Sequence, residues 1–172
     1  MSEKTFRVMS KKLITIKDTY SLESAYNVMQ THSIRHLPVL NDQAEVVGII
    51  SDRDLMRGVH STVRENRDIR FEDLTFPKNA LVSDYMTWPI TVVVESSPLL
   101  KTVEMMLENK ISSVLVVSAN DDVVGIVTTD DCMNYLVKLL KEQDSSVVAT
   151  VETLLLNPIV RAAAHSLSQS GI

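Results

Sequence analysis

The stretch Val46-Val47-Gly48-Ile49-Ile50-Ser51 returns as Val123-Val124-Gly125-Ile126-Val127-Thr128, at an offset of 125 − 48 = 77 residues. The same offset pairs Met9 with Met86, Leu22 with Leu99, Met29 with Met106, Ile34 with Ile111, Val39 with Val116, Asp54 with Asp131 and Met56 with Met133, without an insertion. A register kept over that length marks a duplication, so an element found in one copy is expected in the other.

Working outward from the repeated stretch, Leu37 to Leu40 and Val46 to Ile50 are short β-rich runs joined by the polar turn Asn41-Asp42-Gln43-Ala44. Val114 to Val117 and Val123 to Val127 flank Ser118 to Asp122 in the same way. Their nearly continuous apolar character predicts strands covered on both faces. Upstream, Leu22, Ala25, Tyr26 and Met29 match Leu99, Thr102, Val103 and Met106, the spacing of a helix that buries one stripe. Pro98 suits a first helical turn, with Ser96 or Ser97 as its cap. A leading strand is expected at Leu13 to Ile16 and at Ile90 to Val94. A closing helix is expected from Ser51 and from Thr128, where Cys132, Tyr135, Leu136 and Leu139 form the apolar stripe. Each copy reads β-α-β-β-α.

One such unit of about 50 residues has too little interior to stand alone, so the two copies are expected to pack face to face about a pseudo-twofold axis. The fold class is α/β (α+β), with clefts between the copies. Residues 1–60 form the first repeat, 61–80 the connector, 81–141 the second repeat and 142–172 a helical extension. The run Arg64-Glu65-Asn66-Arg67-Asp68-Ile69-Arg70 reads as a solvated connector. In the extension, Val147, Val148, Val151, Leu154 and Leu155 make another apolar stripe, and Asn157-Pro158 restarts the chain into Ile159 to Leu167.

The 172 residues are 45% hydrophobic and 23% charged, which is ordinary globular usage. Seventeen basic residues against 22 acidic give a net charge of −5, and the basic ones are scattered, which disfavours nucleic acid as a partner. No stretch approaches the roughly 18 apolar residues of a membrane span and no leader is evident, so a soluble, cytoplasmic protein is expected. Cys132 is the single cysteine; it has no disulfide partner and no metal-ligand neighbours. His32, His36, His60 and His165 form no metal or catalytic arrangement, and Met29, Met105, Met106 and Met133 read as adaptable core filler. No catalytic or metal site is expected.

The sharpest chemistry lies in Gly48-Ile49-Ile50-Ser51-Asp52-Arg53-Asp54 and its echo Gly125-Ile126-Val127-Thr128-Thr129-Asp130-Asp131. A glycine in a strand admits another group close to the backbone, the next apolar side chains can grip a purine face, and the Ser or Thr stands where a helix offers free amides to an anion. The Asp can accept hydrogen bonds from both hydroxyls of a ribose. The same Ser-x-x-Asp spacing also reads as a plain helix-capping pattern that needs no ligand.

This duplicated G-h-h-[ST]-x-x-D pattern, following an I-x-x-L-P-V strand in the first copy, resembles the CBS domain family, named after cystathionine β-synthase, over roughly Val8 to Leu140. The resemblance implies a tandem, Bateman-type regulatory pair without catalysis or an obligatory cofactor. It implies a regulatory adenosyl ligand, AMP, ADP, ATP or S-adenosylmethionine, between the copies, and a homodimer. Carried over by position, Ile34 and Arg35 lie near the base of a first site, Ile49 behind it, Ser51 near ribose or phosphate and Asp54 on the ribose. The second site takes Ile111, Ser112, Ile126, Thr128 and Asp131. Arg35 and His36 match the place where phosphates meet basic residues, whereas the second copy offers Ser112 and Ser113. Because Asp130 replaces Arg53 in the second motif, one phosphate-tolerant site, near Arg53, is expected. Output is expected to pass to an unknown effector protein, a dimer interface or the C-terminal extension. The alternative is a structural dimerisation or scaffold pair with vacant clefts.

Overall fold

The computed structural model describes residues 3–59 and 75–156, with side chains through residue 143. The connector run at 64–70, His60, His165, the segment at 159–167 and the side chains of the Val147/Val151/Leu154 stripe lie outside the described residues.

The first repeat runs β1 (Ile16–Lys17), α1 (Leu22–His32), β2 (His36–Leu40), β3 (Val46–Ser51) and α2 (Asp52–Gly58). The second runs α3 (Val82–Tyr85), β4 (Val92–Val94), α4 (Leu99–Glu108), β5 (Ser113–Val117), β6 (Val123–Thr128) and α5 (Thr129–Leu156). A 3-10 turn at Thr5–Arg7 is the first repeat's counterpart of α3. This lead-in element carries too few apolar residues to announce itself by periodicity.

Each repeat builds a three-stranded sheet, ordered β1-β2-β3 and β4-β5-β6. The first pair in each is parallel and the second antiparallel. The central strand is the most buried: Leu37, Pro38 and Val39 in β2, and Val114 to Val117 in β5, as their unbroken apolar runs require. The duplication extends to irregularities. Register shifts occur at Val39/Leu40 and Val116/Val117, and positive φ angles occur at Ser33 and Lys110 and at Ala44 and Asp121. The leading strands are shorter than expected, two and three residues.

The chain divides into two compact units, Met1–Thr129 and Asp130–Ile172. Both repeats through β6 therefore share one unit. The cause is a reciprocal exchange of lead-in segments. Leu22 N donates to Ala80 O (3.1 Å) and Val82 N to Tyr20 O (2.8 Å), while Leu99 N donates to Glu3 O (2.9 Å) and Thr5 N to Ser97 O (3.0 Å). Ala80 and Val82 complete the first repeat's core with Ile16, Leu22, Ala25, Met29, Leu37, Val39, Ile50 and Leu55. The buried Thr5 takes the matching place in the second repeat, its hydroxyl 2.9 Å from that of Thr102.

The exchange corrects one expectation. Pro98 is itself the N-cap of α4, and no side chain caps that helix; the Glu3 carbonyl meets the first amide, so neither Ser96 nor Ser97 acts as the cap. In α1, Ser21 does cap, accepting from Ser24 N.

The second unit is described by α5, an unbroken helix where the sequence suggested a new element after Gln143. Its described part leaves Met133, Leu136, Val137, Leu139 and Leu140 exposed. Among the described residues no helix is long and apolar enough to cross a membrane.

Candidate ligand cleft

The turn from β3 into α2 carries the motif, and its local bonding is complete. Ser51 Oγ accepts from Asp54 N (3.3 Å), and Asp54 Oδ2 accepts from Ser51 N (2.8 Å), closing a capping box. Ser51 Oγ also donates to the same oxygen at 2.7 Å. Asp54 Oδ1 accepts from Arg57 Nη2 at 2.6 Å, and that nitrogen reaches Tyr85 O at 3.0 Å. Asp54 is thus a buried carboxylate, 9% exposed, whose charge is matched by Arg57. A carboxylate offers about four acceptor positions; the three bonds above leave room for roughly one more.

The helix start offers no free amides to an anion. Asp52 N donates to Arg35 O (3.0 Å) and Arg53 N to Asp52 Oδ1 (2.8 Å), while Asp54 N is held by Ser51 Oγ. The expectation that this turn would present free amides is corrected: the chain's own groups saturate it.

Each motif glycine admits another group close to its backbone, and that group is protein. A Cβ on Gly48 would collide with Met86 Sδ and approach Thr87 O at 3.3 Å; one on Gly125 would meet Met9 Sδ at 2.7 Å and Ser10 O at 3.1 Å. The group that comes close is the other repeat's lead-in segment. Ile49 exchanges two backbone hydrogen bonds with Thr87 (3.2 and 2.8 Å), and Ile126 does the same with Ser10 (3.0 and 2.9 Å).

That pairing opens a cleft of about 180 Å³ within the first unit. His36, Ile49, Ser51, Arg53 and Asp54 line it from the first repeat. Ile111, Ser112 and Ser113 line it from the second, together with Thr87, Pro89, Ile90, Thr91, Lys110, Val114 and Leu115. His36 Nε2 and Ser112 Oγ share a 2.8 Å hydrogen bond across the repeats.

Eight of the sequence-predicted residues thus meet in one cleft, drawn from both copies, whereas the sequence grouped them by copy. Ile34 and Arg35 are not among its walls; Ile34 packs against the first repeat's core, and Arg35 is exposed. Ile126 and Thr128 lie in β6, and Asp131 lies in the first turn of α5 in the second unit. Lys110 and the 87–91 segment escaped sequence reasoning. Lys110 has Ser33 as its repeat partner, so duplication gave it no signal, and cross-repeat strand pairing has no local pattern.

Cys132, half-buried, is electrostatically quiet. Burial, and then the Asp131 carboxylate, push its thiol above the ordinary value, so it stays a neutral apolar group near pH 7. Among the described residues no three His, Cys, Asp or Glu side chains are grouped to hold a metal ion.

Comparison with known proteins agrees with this architecture. The CBS domain profile matches residues 5–61 and 82–138. A CBS domain-containing protein of Dictyostelium discoideum is 30% identical over 136 residues, covering 78% of this chain and 92% of that one. The CBS domain pair of protein MJ0100, solved with 5′-methylthioadenosine and S-adenosyl-L-methionine, superposes with a TM-score of 0.63 at 25% identity, covering 78% of this chain and 99% of that one. CBSX2, a chloroplastic CBS domain-containing protein of Arabidopsis thaliana, is 26% identical over 156 residues, covering 82% of this chain and 66% of that one. A structure of CBSX2 in complex with AMP superposes with a TM-score of 0.61 at 23% identity, covering 79% and 97% of the two chains. Two profile matches in register with two β-α-β-β-α sheets that complete one another make this chain a member of the CBS domain family, with its CBS domains in tandem.

Proposed function

We propose that the cleft binds an adenosine-containing ligand and that the chain works as a regulatory module without catalysis of its own. One observation carries the reading: Ile49, Ser51 and Asp54 of the first motif face Ile111 and Ser112 of the second repeat across a single cleft. Isoleucines on two sides suit the faces of a purine. Asp54 has an acceptor position left for a ribose hydroxyl, and a second hydroxyl can take the place of Ser51 Oγ if that hydroxyl turns away. The adenosyl ligands of MJ0100 and CBSX2 support this choice of ligand class. A ligand touching both repeats favours one arrangement of them, and a dimer interface or an effector protein can read that arrangement.

The competing reading, a packing unit with a vacant cleft, draws on the capping box, which satisfies Asp54 without any ligand. Thermal denaturation with AMP, ADP, ATP and S-adenosylmethionine separates the two. A ligand at about 100 times its Kd adds about 2.7 kcal/mol, which raises the midpoint by roughly 5 to 10 °C for a chain of this size. No shift with any of the four leaves the packing unit.

A further inference from the structure

We infer that the cleft selects its adenosyl ligand by charge, taking nucleoside phosphates in preference to S-adenosylmethionine and to adenosine, with Lys110 of the second repeat as the specificity residue acting beside Arg53 of the first. The inference rests on the adenosyl reading of the cleft given above.

Three cationic or protonatable groups line this cleft, His36, Arg53 and Lys110, against one carboxylate. That carboxylate, Asp54, is matched by Arg57 at 2.6 Å. Among the described residues neither the Arg53 nor the Lys110 side chain is in an ion pair, so the local charge is positive although the whole chain carries −5. The saturated first turn of α2 leaves side chains as the groups that can meet an anion.

Size places the anion beside them. At about 180 Å³ the cleft is smaller than the roughly 300–1,000 Å³ of ordinary small-molecule sites. A bound nucleoside therefore leaves its 5′ substituent at the rim, where Arg53 and Lys110 are exposed. A phosphate there bridges cations of both repeats, whereas a permanent sulfonium is repelled by them. The root of Lys110 is set by the fold. Its backbone takes φ 54° at the end of α4, Lys110 N donates to Leu107 O (3.2 Å), and Ile111 N donates to Met106 O (3.0 Å). The side chain is thus anchored next to Ile111, a wall of the cleft.

The test is calorimetric titration of the full chain, and of Lys110→Gln and Arg53→Gln, with AMP, ATP, S-adenosylmethionine and adenosine. Trp88, the one tryptophan of the chain, provides a second readout. It is 73% exposed and stands between Thr87 and Pro89 of the cleft wall. We expect AMP and ATP to bind about tenfold or more tightly than the other two, a difference of about 1.4 kcal/mol or more, and added salt to weaken only the phosphates. Lys110→Gln should weaken AMP and ATP about tenfold and leave adenosine unchanged. Adenosine or S-adenosylmethionine binding as tightly as AMP, or Lys110→Gln weakening adenosine as much as AMP, overturns charge selection while the adenosyl reading stands. Binding by none of the four overturns that reading and the selection with it.

Discussion

Gly48 and Gly125 show how one residue type can be visible in sequence while its reason is not. Duplication marked both, and another group approaching the backbone was the expectation, with its identity open. The structure puts the partner repeat's methionine and backbone carbonyl there. Methionine can bend away from an added methyl, but a carbonyl held in a strand bridge cannot. Gly48→Ala is therefore expected to cost about 1–3 kcal/mol, lowering the melting midpoint by about 2 to 4 °C per kcal/mol. In a Met86→Ala background the cost should fall, because part of the obstacle is gone. Equal losses in both backgrounds, read as a double-mutant cycle on thermal melts, would remove the explanation.

At the scale of the element, the start of α2 is both a helix cap and a cleft wall. The Ser-x-x-Asp spacing allowed two readings, and the structure realises the capping one while keeping Ser51 and Asp54 on the cleft. Ser51→Ala removes the hydroxyl that accepts from Asp54 N and donates to its carboxylate. The ligand-free protein should lose about 0.5–2 kcal/mol, measured by urea denaturation. A variant with unchanged stability would show that the cap contributes nothing. Ligand-binding measurements on Ser51 or Asp54 variants therefore need each variant's own ligand-free melt as baseline. Helix α4 makes the complementary point: its serines suggested a cap, and the Glu3 carbonyl, remote in sequence, took that place because the first repeat's lead-in segment packs there.

For the whole molecule, stability is shared between repeats. Each repeat lacks a piece of its own core and receives it from the other, Ala80 and Val82 in one direction and Thr5 in the other. Deleting residues 1–10 removes the hydrogen bonds at Ser97 and Leu99, the bridge to Ile126 and the methionine packed on Gly125. The truncated chain should melt lower or restore the missing contacts by exchanging segments between molecules, a route to domain-swapped dimers. Sedimentation together with thermal melts reports both. A truncated monomer as stable as the intact chain would contradict the interdependence.

The sequence by itself determined the duplication, the strands around Val39 and Val116, the stripes of α1 and α4, and the type of residue at the candidate site, because these follow from periodicities a few residues long and from a repeated register. Only the tertiary structure decided which copies face which. Ile111, Ser112 and Lys110 join Ser51 and Asp54 through strand bridges between segments nearly forty residues apart, Ile49 with Thr87. Backbone pairing is indifferent to side-chain identity, so no local pattern records the partner. The same indifference left Lys110 unremarked until the fold brought it onto one cleft with Ser51, Arg53 and Asp54 of the first repeat.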